Sequence, residues 1–240
     1  MRTVVITGAG TGIGRAVAET FHAAGDQVIL TGRRADVLAS TASDLGEPAR
    51  QVAFDATEPD QVLSALRDIP EQVDVLVNNA GGNTDFDRPP PSTLADTAAA
   101  WRANLDANLL SAVLVTTALL DRLPSGAAVI NIGSIAADKG AGAYGAAKAG
   151  LASWAVDLAR QLGPRGITVN TLAPGYVAST EFFRDRLTDD RRQMLVDSAL
   201  TRRASQPRDI AGAAAFLAGP AARQITGQVL AVNGGEHTSR

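Results

Sequence analysis

The sequence predicts an α/β fold: one doubly wound, mostly parallel sheet of seven strands with helices on both faces. Three observations carry that prediction. Short β-branched runs alternate with helical stretches along the 240 residues, the runs end in turn residues, and a glycine-rich turn joins the first run to the first helix. Parallel strands need right-handed crossovers, and these return over the sheet and cover its faces.

The first strand is TVVIT (3–7), and the turn TGAGTGIG (7–14) opens a helix from Ile13 to Ala24. Ile13, Val17 and Phe21 form one stripe of that helix, and Gly25 sits where a C-terminal cap belongs. QVILTG (27–32) and QVAFD (51–55) follow as the second and third strands, and TEPD (57–60) has a capping-box pattern for the next helix. VDVLVNN (73–79) is the fourth strand. The proline-rich DFDRPPPSTLAD (85–96) cannot be regular structure and reads as a loop beside the ligand site. AAVINIG (127–133), GITVNTLAP (166–174) and GQVLAVNGG (227–235) complete the sheet. Residues 176–207 break the rhythm before the DIAGAAAFLA helix, so they are expected to act as a lid within a single domain spanning 1–240.

With 45% hydrophobic and 20% charged residues, the composition is that of an ordinary globular protein. No apolar run is expected to cross a bilayer, and MRTVVITGAG has none of the features of a signal peptide, so a cytoplasmic protein is expected. Zero cysteines exclude disulfides and thiolate chemistry, and two isolated histidines, His22 and His237, do not make a metal cluster; no metal is expected. A net charge of −3 without a basic, aromatic-rich cluster argues against nucleic acid. The arginine-rich stretch from Glu181 to Asp209 alternates in sign and reads as a solvated face.

Ligands of such a sheet bind beyond the carboxyl ends of its strands. There Gly8, Gly12, Ile13 and Gly14 form a turn that lets the backbone approach a diphosphate at a helix N-terminus. The second strand ends in Arg33 and Arg34 rather than the carboxylate that would hold a ribose 2′-hydroxyl. Two guanidinium forks suit a 2′-phosphate, so NADP(H) is expected in preference to NAD(H), which stays possible. Asp55 is placed near the adenine, with support of its own turn as the alternative.

The chain has two tyrosines and two lysines, and AYGAAKAG (143–150) places Tyr144 and Lys148 one helical turn apart on one face. A neighbouring cation lowers the pKa of a phenol, which suits Tyr144 to acid–base work on a carbonyl or alcohol oxygen. Ser134, after the fifth strand, can donate a second hydrogen bond to that oxygen.

Taken together, TGAGTGIG, NNAG (78–81), Asn108, Ser134 and the Tyr144/Lys148 pair resemble the short-chain dehydrogenase/reductase family along the whole chain, which implies a Rossmann-type sheet. The resemblance implies Tyr144 as acid/base, Lys148 on the nicotinamide ribose, Ser134 orienting substrate and Asn108 holding a water in a proton relay. It also implies cofactor contacts from Asn79, Ala80 and Gly81, from the Pro174–Gly175 turn, and from Ser179 or Thr180. Within the family, GSIAADKG, YGAAKAGL and ITGQVLAVNGG are most similar to the 3-oxoacyl-acyl-carrier-protein reductases. The implied activity is NADPH-dependent reduction of a ketone to a secondary alcohol. An acyl carrier protein is one potential partner, for which Arg165 would be a basic contact. The alternatives are a secondary-alcohol dehydrogenase working in the oxidative direction and a non-catalytic nucleotide sensor. The helices at 105–120 and 149–162, apolar on more than one face, together with the resemblance, suggest a homotetramer.

Overall fold

The computed structural model describes residues 1–184 and 186–238. In chain order its elements are β1 (Thr3–Thr7), α1 (Gly12–Ala23), β2 (Gln27–Gly32), α2 (Ala35–Leu45), β3 (Arg50–Ala53), α3 (Pro59–Ala65), β4 (Val75–Asn78) and α4 (Leu94–Leu105). A π turn (Asp106–Leu110) joins α4 to α5 (Ser111–Leu119). Then come β5 (Ala128–Ile132), α6 (Ala136–Lys139), α7 (Gly142–Leu162), β6 (Thr168–Pro174), α8 (Asp189–Ser198), α9 (Pro207–Leu217) and β7 (Val229–Val232). Seven strands form one sheet in the order β3-β2-β1-β4-β5-β6-β7, every neighbouring pair parallel. The strand order reverses between β1 and β4, and a ligand crevice is expected at that reversal.

Side chains alternate across each strand, so a strand buried on both sides feeds two cores. Val4 and Ile6 of β1, Val75 and Val77 of β4, and Ile130 of β5 pack with α1 and α9 through Val17, Phe21, Ile210 and Ala214. Val5, Leu76 and Val129 point the other way, onto Val115 and Leu119 of α5 and Ala155 and Leu158 of α7. The predicted stripe of α1 is confirmed, and Gly25 lies just past its end with φ +85°.

Three local expectations need correction. The TEPD capping box does not form: the N-cap is Glu58, one residue past the expected Thr57, and makes no side-chain capping bond, while the Thr57 hydroxyl donates to Asp55 at 2.8 Å. The proline-rich segment is regular at both ends, with a 3-10 turn at Thr84–Asp87 and α4 starting at Leu94 behind a Thr93/Asp96 capping box. The helical run Leu94–Arg122 is long and apolar enough to cross a bilayer by length and composition, contrary to expectation. Here it packs on the sheet through Val115 and Leu119 and contains the π turn.

Candidate active site

Beyond the carboxyl ends of the strands lies an open cleft of about 1330 Å³. One end is built by the β1–α1 turn. Thr7 is buried at the end of β1, and its hydroxyl accepts the backbone N–H groups of Asn79 and Ala80 at 2.9 Å each. The Asn79 amide donates in return to the carbonyls of Thr7 (2.9 Å) and Gly8 (3.0 Å). Asn79 therefore lines the cleft while its side-chain amide braces the turn. The turn is so tight that a Cβ at Gly14 would lie 2.2 Å from the Gly8 carbonyl oxygen. Gly81 needs φ +147°, and a Cβ there would come within 2.5 Å of Asn108 Oδ1.

Thr11, the N-cap of α1, makes no side-chain capping bond, so the first-turn N–H groups of a twelve-residue helix face the cleft without a side-chain acceptor. Such a helix end and a close-packed glycine turn fit the diphosphate of a dinucleotide. Gly8, Gly12, Ile13, Arg33, Arg34, Asp55, Ala80, Gly81, Pro174, Gly175 and Thr180 line the same cleft. Arg33 is exposed, 3.9 Å from the Asp55 carboxylate, while Arg34 pairs with Glu181 at 2.9 Å. Asp55 accepts the Thr57 N–H (2.9 Å) and hydroxyl (2.8 Å), so it does support its own turn while standing at the cleft wall. Of the two competing hydroxyl residues, Thr180 lines the cleft, its methyl 3.4 Å from where a Gly12 Cβ would be. Ser179 is exposed, with φ +58°.

The floor of the cleft brings Ser134, Tyr144 and Lys148 together. Tyr144 and Lys148 are buried one turn apart on α7, and the Lys148 ammonium lies 5.9 Å from the centre of the Tyr144 ring. That ammonium donates to the carbonyl of Ile132, the last residue of β5, at 2.7 Å. Burial pushes the Tyr144 phenol up to about 12, and the Ser134 hydroxyl beside it offsets part of the rise. Burial also pulls Lys148 down to about 8. Desolvation is the largest influence on the phenol here, and the lowering expected from Lys148 belongs to the mechanism proposed below.

Asn108 does not face the cleft. Its amide donates to the carbonyls of Gly82 (2.9 Å) and Asn104 (3.0 Å), and its oxygen accepts the Gly82 N–H at 2.9 Å, pinning the loop after β4 onto the π turn. Arg165 is also committed elsewhere, donating to the carbonyls of Leu120 and Leu123.

The other end of the cleft comes from two segments without a local motif. Phe86 stands on the loop before α4, and Phe182 and Phe183 on a 3-10 turn (Glu181–Phe183) inside the expected lid. Phe182 reaches Tyr144, ring centres 5.5 Å apart, and Phe86 lies 5.7 Å from Phe182. Arg184 staples the two segments together, donating to both oxygens of Asp87 at 2.9 and 3.0 Å and to the carbonyls of Glu181 and Phe182. The arginine-rich stretch is therefore more than a solvated face. Sequence reasoning missed Phe86, Phe182, Phe183, Glu181 and Arg184; the only hint was that three of the six phenylalanines fall in the two segments already suspected of flanking the site.

Comparison with known proteins agrees with this geometry. A family model described as enoyl-(acyl carrier protein) reductase matches residues 8–237. The 3-oxoacyl-acyl-carrier-protein reductase FabG of Vibrio harveyi is 34% identical over 242 residues, covering 98% of this chain and 96% of its own. A short-chain dehydrogenase/reductase of Brucella melitensis, titled glucose/ribitol dehydrogenase, superposes with a TM-score of 0.89 at 30% identity, over 99% of this chain and 97% of that one. A blue fluorescent protein from a metagenomic library, solved with NADPH, gives a TM-score of 0.86 at 32% identity, over 99% and 98%.

Proposed function

Since the chain belongs to the short-chain dehydrogenase/reductase family and is an oxidoreductase using a nicotinamide dinucleotide, we propose that it reduces a ketone to a secondary alcohol, with NADPH preferred to NADH. The observation that carries this reading is the convergence of Ser134, Tyr144 and Lys148 on the floor of a cleft whose far end is the β1–α1 glycine turn. The bound nicotinamide supplies a hydride to the carbonyl carbon. Tyr144 gives its phenolic proton to the carbonyl oxygen, and Ser134 holds that oxygen by a hydrogen bond. Lys148, when protonated, compensates the charge left on the phenolate. With its phenol raised by burial, Tyr144 carries its proton at neutral pH and can donate it to the carbonyl oxygen. In this reading Asn108 positions the loop after β4 from behind.

Arg33 and Arg34 support the cofactor preference, since both line the cleft beyond β2 and a 2′-phosphate would compete with Glu181 for Arg34. Cofactor contacts are assigned to Gly8, Gly12, Ile13, Asn79, Ala80, Gly81, Pro174, Gly175 and Thr180, with Gly14 shaping the turn from behind. The names of the FabG relatives suggest a 3-oxoacyl thioester as one substrate form. Arg165 donates to the carbonyls of Leu120 and Leu123 but stays exposed and charged, and it is the basic contact this reading offers an acidic carrier. The reading includes a cytoplasmic location and a homotetramer; Trp101 (45% exposed) and Leu110 (40% exposed) are apolar surface available to a second copy.

Tyr144→Phe tests the assignment. It should retain NADPH binding by fluorescence titration and lose at least ~10³-fold in turnover, beyond the usual contribution of one acid–base group plus the charge it leaves. Normal turnover in that variant would refute the mechanism.

A further inference from the structure

We infer that the ketone carries a compact aromatic or similarly flat apolar group beside its carbonyl, packed against the ring cluster that Phe86, Phe182 and Phe183 form next to Tyr144. This inference rests on the reductase reading of the site. Five of the chain's eight phenylalanine and tyrosine side chains meet at this end of the cleft. Ring centres lie 5.0 Å apart for Phe182 and Phe183, 5.5 Å for Phe182 and Tyr144, and 5.9 Å for Phe183 and Tyr176. Several of these contacts are edge-on, the arrangement in which another flat ring gains most from ring quadrupoles.

Two of the charged groups lining the same cleft are already engaged. Arg184 has committed its guanidinium to Asp87 and to two carbonyls, and the nearly buried Glu236 pairs with Lys139 at 2.9 Å. Hydroxyl groups placed there would lose water and find these donors and acceptors already engaged. A long flexible acyl chain is also disfavoured. Its many rotors are frozen on binding, and one extending out between the walls would also displace the exposed Arg184–Asp87 clasp, a smaller cost. A ring brings its apolar area with few rotors to freeze, and each well-oriented aromatic pair is worth roughly 2- to 10-fold in affinity.

The test is a panel assayed with NADPH on the wild-type protein: an aryl alkyl ketone, a linear aliphatic ketone of equal carbon number, a 3-oxoacyl N-acetylcysteamine thioester and a ketose. The aryl ketone should exceed the linear ketone and the thioester by about tenfold or more in kcat/KM, with the ketose slowest. In Phe182→Leu and Phe86→Leu the aryl-to-linear ratio should fall several-fold; because it is a ratio within one preparation, partial loss of activity or folding cancels. Calorimetric titration of the dinucleotide-loaded protein with the matching aryl and alkyl alcohols should show the same order. Preference for the thioester or ketose, or an aryl-to-linear ratio near one, would overturn the inference while leaving the reductase reading intact. No turnover of any carbonyl despite dinucleotide binding would overturn both.

Discussion

The two ends of the cleft are held in different ways. At the β1–α1 turn, backbone lies against backbone: Gly14 leaves no room for a methyl group, and Thr7 and Asn79 tie the turn to the end of β4 by four hydrogen bonds of 2.9–3.0 Å. At the substrate end, two surface segments meet through rings and one arginine clasp whose partners are 37% and 51% exposed. The first arrangement tolerates no shift, while the second can open by exchanging side-chain contacts for water. A site that always receives the same cofactor can be rigid at that end and adaptable at the other.

The largest expected effect comes from breaking the rigid end. Gly14→Ala must displace the Gly8 carbonyl or Asn79, and overpacking of that kind should cost about 2–3 kcal/mol in stability and weaken dinucleotide binding at least ~10-fold. Denaturant melts and fluorescence titration would measure both, and wild-type values for both would show that the turn is looser than described.

Lys148 separates function from stability between the two ends. Its ammonium is buried and its pKa falls to about 8, so from there up to the ordinary lysine value of 10.5 the folded protein binds fewer protons than the unfolded chain. Stability therefore rises with pH across that window, and the cost of the buried charge is borne in full below it. Lys148→Met should abolish turnover yet stabilise the ligand-free protein at pH 7 by about 1–2 kcal/mol, the loss of the Ile132 bond being included. Calorimetry should find the wild-type Tm climbing more between pH 7 and 9 than the variant's. A Met variant less stable at pH 7, with a parallel pH profile, would contradict this account.

The smallest effect belongs to the clasp. A double-mutant cycle with Arg184→Ala and Asp87→Ala should give a coupling of about 0.5–1 kcal/mol, as for other exposed pairs, with KM for the ketone raised and dinucleotide affinity unchanged. Coupling near zero in both KM and stability would mean that the two walls move independently.

The same contrast explains what could be read before any coordinates. Six of the seven strands lie within the segments marked by β-branched runs and β3 begins one residue earlier, at Arg50, because continuous apolar runs and turn residues are local signals. Gly14 and the Tyr144/Lys148 pair were legible for the same reason, one needing a tight turn and the other a single turn of helix. The Arg184–Asp87 clasp spans 97 residues and the Arg34–Glu181 pair 147, so no window of sequence contains either. The burial that raises the Tyr144 phenol is supplied by several elements packed around α7, so only the neighbouring cation is visible in the sequence. Asn108 announced a polar role, but not that its amide would be consumed by Gly82 and Asn104.

Lys148 hangs from Ile132, the terminal residue of a central strand. Helix α7 cannot slip by a residue along the sheet without cutting that tether, so the reacting phenol keeps its register whatever happens in the surface segments. Residues 82–93 and 176–207 can therefore change in length or composition without moving Tyr144 relative to the sheet.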